Sequence, residues 1–209
     1  MANFNLNNFK TAVLTQGIAK PNRFEVLITV PTVMQPYVND ARLVSLFCES
    51  ANLPQLNLGI APQRIYGPNY QNPLTIEYGG ESIPMSFLVD QKLVVKKFFD
   101  TWIHKIVDPV SFHVGYRNSP ATGYTSKIII HQLNERDDPV YSVELVDAFP
   151  RNIGILDLNM ASQNTPHKLN VTFTYRRWKI YNETERALAG SIYLNKKNED
   201  GTFRQIDFQ

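Results

Sequence analysis

The chain has 209 residues, of which 43% are hydrophobic and 19% are charged, and its formal net charge is +2 at pH 7. This composition is typical of one globular domain and excludes an intrinsically disordered chain, while so small a charge gives no indication of a nucleic-acid or membrane partner. A single cysteine excludes an intrachain disulfide framework. The N-terminus has no basic start followed by an apolar core, and no apolar run reaches membrane-spanning length. We therefore expect neither a signal peptide nor a membrane anchor.

The start of the chain predicts one short helix and two strands. Residues 8–16 can form a helix that has Asn7 or Asn8 as its N-cap. In residues 20–30, apolar residues alternate with polar or smaller ones, as in a half-buried strand. After a loop marked by prolines, the segment ARLVSLFCES at residues 41–50 predicts a second strand.

A long extended segment, CESANLPQLNLGIAPQRIYGPNY, occupies residues 48–70. It has no helical period, and Pro54 and Pro62 argue against a central strand. A buried loop would leave its backbone groups unpaired, and an exposed one would place leucine and isoleucine in water. We therefore expect a contact arm that a second copy of the chain covers. Its predicted contact residues are Leu56, Leu58, Ile60, Ile65, Tyr66 and Tyr70.

The middle of the chain predicts a hairpin and then a helix. Residues 73–80 and 81–90 are two short runs separated by Gly79–Gly80, a hairpin signal. Residues 91–107 change to a helical period, with Asp90 able to cap the helix and Pro109 ending it. The apolar stripe that we expect to be buried consists of Val95, Phe98, Phe99, Trp102 and Ile106.

The rest of the chain returns to strand patterns. Residues 126–134 and 140–149 are joined by a charged turn, and residues 152–160 and 169–181 are joined by a polar one. From Asn182 onward the composition is more polar and less regular. We therefore expect one mainly β domain over residues 1–181, followed by a C-terminal extension over residues 182–209.

Motifs for catalysis or metal binding are absent from the sequence. Asp100, His104 and Asp108 follow one another at helical spacing, but a solvated helix face is the more ordinary interpretation of such a row. Cys48 has no basic or histidine neighbour in sequence, which favours packing over nucleophilic chemistry. We expect no catalytic residue, no cofactor and no metal site, and therefore no enzyme.

The aromatic and basic segment YRRWKIY, residues 175–181, leaves one alternative open. A nucleic-acid-binding β module would need Arg176, Arg177 and Lys179 on one surface, with aromatic rings available for stacking. Arg176 and Arg177 are adjacent in a predicted strand and would point to opposite faces, which weakens this alternative.

A family resemblance joins several of these segments. They are AKPNRFEV at 19–26, CESANLP at 48–54, KKFFDTW at 96–102, DAFPRNIG at 147–154 and VTFTYRRW at 171–178. Together and in this order they resemble the tail tube protein of contractile-tailed, T-even-type bacteriophages. The same fold is similar to that of tube-initiating baseplate proteins and of the ring-forming tube protein of type VI secretion.

The resemblance implies a β-sandwich or small barrel flanked by one α-helix. It also implies a hexameric ring with a shared inner β-barrel, and stacked rings that form the DNA conduit of the virion tail. The implied partners are other copies of the chain, the tail sheath protein outside, the tape-measure protein and then genomic DNA inside, and the baseplate tube-initiator and tail terminator proteins. Assembly would take place in the host cytoplasm. A baseplate tube-initiator of the same fold is the alternative within the family, and the extension beyond the last aromatic strand leaves that choice open.

A tube of this kind must let DNA slide, and cations that neutralise phosphates would hold it. We therefore expect an inner wall that is neutral to acidic, with DNA bound weakly and without sequence preference. The candidate lumen acids are Glu77, Glu81, Glu135, Asp137, Asp138 and Glu144.

Overall fold

Nine strands, three α-helices and a short 3-10 helix are present in the described part of the computed structural model. The structure describes residues 6–38, 41–63, 66–67, 69–78, 82–160 and 165–181. The strands are β1 Phe24–Ile28, β2 Cys48–Ala51, β3 Asn57–Gln63, β4 Tyr70–Glu77, β5 Ser82–Leu88, β6 Ser126–Leu133, β7 Pro139–Ile153, β8 Lys168–Thr174 and β9 Arg177–Ile180. The helices are α1 Leu6–Gln16, α2 Arg42–Leu46 and α3 Val94–Ile106, with the 3-10 helix at Thr32–Met34.

The main sheet is antiparallel and has the order β1-β6-β7-β8-β5-β2, with β9 also paired to β7. β7 is 15 residues long and changes partners along its length. Its first part lies between β6 and β9, and its last residues pair with β8. The prediction of a mainly β fold with a flanking helix is therefore confirmed, with β7 joining the two parts of the sheet.

Helix α3 covers the inner face of β5 and β8 with aromatic side chains. The ring of Phe99 lies 5.0 Å from that of Phe87 and 5.8 Å from that of Phe173, measured between centroids. Trp102 lies 6.3 Å from Phe173 and donates its indole N–H to the carbonyl of Tyr124 at 2.8 Å. Edge-on and tilted rings at these separations stabilise a core beyond the area that they bury. The buried residues of α3 are Val95, Phe98, Phe99, Trp102 and Ile106.

The start of α3 depends on Asp90. Its carboxylate accepts the backbone N–H of Val94 at 2.7 Å, which satisfies a donor that a helix start leaves free. Leu93, directly before the helix, has a φ of 55°, in the left-handed region. The outer side of the helix carries the ion pair between Lys96 and Asp100 at 2.9 Å.

The strand predicted over residues 41–50 is wrong in its first half. Residues 42–46 form α2, and strand structure begins only at Cys48. The reason lies in the neighbouring edge strand β1, which α2 covers. Val44 is buried there, and the hydroxyl of Ser45 accepts the N–H of Ile28 at 3.1 Å. The short helix thus covers this edge strand and satisfies one of its backbone donors.

The predicted hairpin between residues 73–80 and 81–90 is also wrong. β4 pairs with β3, whereas β5 pairs with β2 and β8. The two strands have different environments, because alternate residues of β5 are buried and every residue of β4 is exposed. Gly79–Gly80, which suggested the turn, lies outside the described residues.

The last predicted strand pair needs correction as well. Strand β7 ends at Ile153, so residues 154–160 of the strand predicted over residues 152–160 form no strand. Leu158 and Met160 in this segment are apolar but exposed. Residues 169–181 are two strands rather than one. The chain leaves β8 after Thr174 and pairs again with the first part of β7 as β9, so tertiary pairing divides a continuous alternating pattern.

We expect Trp102→Ala to lower the free energy of unfolding by about 3–5 kcal/mol, because a fully buried ring and its hydrogen bond are both lost. Denaturant unfolding followed by circular dichroism measures the change. Lys97→Ala, on the outer side of the same helix, is the control. A loss below about 1 kcal/mol for Trp102→Ala would contradict the importance of this contact.

Candidate assembly site

Strands β3 and β4 form a two-stranded sheet of their own, separate from the main sheet. Within the described chain, they pack extensively only against each other. Leu58 is 57% exposed, Ile60 53% and Ile76 60%. A two-stranded ribbon is only marginally stable alone in water, and contiguous exposed apolar side chains usually mark a contact surface. We call this element, residues 56–77, the arm.

Cross-strand pairs bring the apolar residues of the arm together. Leu58 lies opposite Ile76, and Ile60 lies opposite Pro73, with a register shift between them. Gly59 lies opposite Thr75, where a Cβ atom would come within 2.5 Å of the threonine hydroxyl oxygen. The absence of a side chain at Gly59 therefore allows the two strands to approach closely.

The structure places the predicted arm residues as follows. Leu56 precedes β3, Leu58 and Ile60 lie within it, Tyr66 is fully exposed in the connection, and Tyr70 begins β4. Ile65 lies outside the described residues.

Two further apolar residues of the arm, Leu74 and Ile76, were not among the predicted contact residues. The sequence analysis placed them in the hairpin of residues 73–80 with residues 81–90, whereas β4 pairs with β3. Their alternation in β4 was the available signal, but it does not reveal which strand is the partner.

Trp178 of β9 contacts the chain on both sides of the arm, at Gln55 before it and at Tyr78 after it. We call this contact the root of the arm. The indole N–H of Trp178 donates to the carbonyl of Gln55, just before β3, at 3.1 Å. Its ring meets the ring of Tyr78, just after β4, edge-on with 6.4 Å between centroids. In the pairing of β9 with β7, Trp178 lies opposite Leu145, which is fully buried. Both ends of the arm thus meet a residue that is anchored on the main sheet.

Three of the candidate lumen acids lie at the turn between β6 and β7. Glu135 is 2.7 Å from Lys20, and Asp137 is 2.7 Å from Arg23. The hydrogen bond and charge of Lys20 lower the pKa of Glu135. Asp138 accepts a hydrogen bond from the side chain of Asn134 at 3.3 Å. Because the pairs are exposed, they contribute little stability and mainly hold the segment after α1 against the turn.

The other candidate acids lie elsewhere. Glu144 is buried in β7, with the ammonium of Lys179 at 3.5 Å and that of Lys127 at 3.9 Å. Glu77 ends β4 on the arm, and Glu81 lies outside the described residues. The structure therefore does not bring these carboxylates together as one cluster.

The polar groups near the end of α3 form a turn rather than a catalytic arrangement. The hydroxyl of Ser111 donates to Asp108 at 2.9 Å, and the backbone N–H of His113 donates to that hydroxyl. The backbone N–H of Val110 and the hydroxyl of Ser111, which both donate to Asp108, lower the pKa of its carboxyl. The imidazole of His113 has no part in these hydrogen bonds, which are those of a capped turn. Among the described residues, no group of histidine, cysteine and acidic side chains is arranged to hold a metal ion.

No helix in the described segments combines the length and apolar character needed to span a membrane.

A sequence model for phage tail tube proteins matches residues 19–181, which is most of the chain and includes β1 to β9. The chain belongs to the phage tail tube protein family. No curated protein matches it closely enough to be significant.

Solved structures share the fold of this tail tube protein. A chain of the anti-feeding prophage baseplate has 18% identity and a TM-score of 0.53, with 79% of this chain and 96% of that chain covered. A chain of the PVC sheath-tube complex, from an extracellular contractile injection system, has 14% identity and a TM-score of 0.55, with coverage of 82% and 96%. A chain of the anti-feeding prophage cap has 17% identity and a TM-score of 0.54, with coverage of 79% and 91%.

Family membership confirms the resemblance drawn from the sequence, and the protein is a structural tail tube subunit. Its arm and the root of that arm both lie within the matched residues. The arm is therefore part of the tail tube domain and not an addition to it.

We expect Trp178→Phe to weaken tube assembly while it leaves the fold intact. Phenylalanine keeps an aromatic ring but cannot donate to Gln55, so the arm is held less firmly. The loss of one hydrogen bond, about 1 kcal/mol, corresponds to about a fivefold rise in the critical concentration for assembly. Sedimentation measures that concentration. Ile180→Ala, at an exposed position of the same strand, is the control, and equal values for the two variants would contradict the role of Trp178.

Burial raises the pKa of the Cys48 thiol to about 12, well above the ordinary value of about 8.5. The thiol therefore stays protonated in the folded protein at pH 8, and we expect iodoacetamide to react with it slowly. Mass spectrometry follows the alkylation with time in native buffer and in denaturant. The reaction should be much faster in denaturant, and equal rates would show that the thiol is accessible and ionised in the folded protein.

Proposed function

We propose that this tail tube protein is the main tube subunit of a contractile phage tail. Six copies close into a ring with a shared inner β-barrel, and the rings stack into a hollow conduit for DNA. The arm is the observation that carries the proposal, because it presents apolar side chains that a folded monomer does not cover. A baseplate chain with the same fold comes from a structure symmetrised six-fold, which supports the choice of a hexamer.

A ring also accounts for one end of the main sheet. Strand β2 ends the described sheet on the side away from β1, which α2 covers, and an open edge can pair with another chain. In a ring, each copy uses two different surfaces, one to give a contact and one to receive it. In this proposal, the arm is the surface of each copy that contacts its neighbour. Its contact residues are Leu56, Leu58, Ile60, Ile65, Tyr66 and Tyr70.

The proposal includes partners other than copies of the chain. The tail sheath protein lies outside the tube, the tape-measure protein and then genomic DNA lie inside, and initiator and terminator proteins close its ends. The inner wall is neutral to acidic, so that DNA is bound weakly and without sequence preference. Assembly takes place in the host cytoplasm, the role is not enzymatic, and residues 182–209 are an extension of the tube domain.

A tube-initiating or tube-terminating role is the second candidate. The fold is shared with chains of a baseplate and of a cap as well as with a chain of a sheath-tube complex. A nucleic-acid-binding module has less support. Arg176 lies 3.7 Å from Asp147 and Lys179 lies 3.5 Å from Glu144, so carboxylates already offset part of the basic charge.

We expect Leu56→Asp combined with Ile60→Asp to leave the monomer folded and to prevent tube formation. A carboxylate in a desolvated contact without a partner is strongly unfavourable. Negative-stain microscopy scores rings and tubes, and circular dichroism checks the fold.

Gln63→Asp combined with Thr75→Asp is the matched control, since it adds the same charge to polar positions of the same arm. Normal tubes from the Leu56 and Ile60 variant would contradict the role of the arm, and global unfolding would place both residues in the monomer core. Long tubes from the unmodified protein favour the main tube subunit, whereas isolated rings favour the initiator.

A further inference from the structure

Strands β5 and β8 carry two faces of different chemistry. Toward α3, their side chains are buried apolar residues, including Phe87, Val171 and Phe173. Because successive side chains of a strand alternate, the residues between them point to the opposite face. We call this opposite face, with the adjoining end of β7, the hydroxyl face. Its polar members are Ser82, Ser86, Asn152, Asn170, Thr172 and Thr174, of which the Thr174 hydroxyl is buried. By the same register, the apolar residues Pro84, Leu88 and Phe149 lie on this face as well.

Cross-strand register groups the members of the hydroxyl face. Ser82 lies opposite Thr174 and Ser86 opposite Asn170, while Thr172 lies between Pro84 and Asn152. Partners directly across a ladder share a face of the sheet. The polar members are uncharged and exposed or half-buried, so this face is largely polar and carries no charged side chain among them.

Among the described residues of β5, β7 and β8 on this side of the sheet, the charged ones are Lys168 and Arg151, at its border. Lys168 lies at the end of this face, where the pairing of β5 with β8 ends, and is ion-paired with Glu49 at 2.5 Å. Arg151 is the extra residue of the bulge in β7 and is exposed.

The hydroxyl face differs from two other exposed surfaces of the described chain, the outer side of α3 and the arm. The outer side of α3 carries charge, with Lys96, Lys97 and Asp100, as is usual for a surface in contact with solvent. The arm is apolar, as is usual for the centre of a protein contact. A broad polar face without charge fits neither of these roles well.

We infer that the hydroxyl face is the wall of the channel, over which duplex DNA passes. This inference rests on the proposed function, because it assumes a tube that conducts DNA. The face and α3 lie on opposite sides of the β5–β8 layer, so a tube wall built from this layer presents one to the outside and the other to the inside. The charged side of α3 is then the outer surface.

The chemistry of the hydroxyl face suits a moving polyanion. A lysine or arginine that neutralises a phosphate releases counterions and thereby holds the DNA. Hydroxyl and amide groups instead exchange hydrogen bonds with water and carry no net charge. Small side chains also keep the bore wide. The wall therefore offers DNA a hydrated surface with no strong binding position.

Cysteine labelling tests the location of the face. Thr172→Cys is compared with Thr101→Cys in a Cys48→Ala background, since both threonines are half-buried and Thr101 lies on α3. In preformed tubes, a polyethylene glycol maleimide too large to enter the channel should label position 101 and not position 172. In disassembled protein it should label both positions.

Added charge tests the function of the face. Tubes are assembled with short duplex DNA and then treated with nuclease, so that only DNA inside the channel survives. Thr172→Lys tubes should retain protected DNA, and the retention should fall with salt at a slope of about −0.9 in log K against log salt for each phosphate neutralised. Unmodified tubes and the matched Thr101→Lys tubes should retain little.

The outcomes separate this inference from the proposed function. If no ring or tube forms from the unmodified protein, the proposed function fails. If tubes form and position 172 labels as readily as position 101, the assignment of the channel wall fails alone. Salt-sensitive retention of DNA by unmodified tubes, lost in Arg151→Ser, would show that the wall grips DNA and would overturn the inference. If Thr172→Lys prevents assembly, the labelling experiment decides.

Discussion

The contact between α3 and the β5–β8 layer is the interaction on which the rest of the structure depends. Phe99 and Trp102 on the helix meet Phe87 and Phe173 on the strands, and all four side chains are fully buried. A strand can bury only alternate residues against one partner. The aromatic contact therefore fixes which residues of these strands face away from the core, and so determines the chemistry of the opposite surface.

Strand β7 connects the β5–β8 layer to the rest of the sheet. Because it pairs with β8 near its end and with β6 and β9 near its beginning, it fixes the position of β9 relative to the aromatic core. Trp178 is carried by β9, and the arm is attached to Trp178. The direction of an exposed ribbon is thus set by a short chain of contacts that starts at the centre of the domain.

Sequence reasoning succeeded where the periodic signal was long and the partner was local. The apolar stripe of α3 and the turn between β6 and β7 are of this kind, and the structure has a helix and a paired hairpin there. It failed where the partner was distant. ARLVSLFCES was predicted as a strand, but its contact with β1 favours a helix over residues 42–46. The glycine pair after β4 gives no information about β3. The root of the arm was missed because Gln55, Tyr78 and Trp178 are far apart in the chain.

The positions of the two tryptophans have an optical consequence. Trp102 is enclosed in the core, whereas Trp178 is half-buried at the root of the arm. Indole emission shifts to shorter wavelength when water is excluded, so the core residue contributes a constant, blue-shifted component. A spectral change on mixing copies of the chain then reports on Trp178, at the root of the arm. The protein carries its own fluorescent reporter at the root of an element whose surroundings assembly would change.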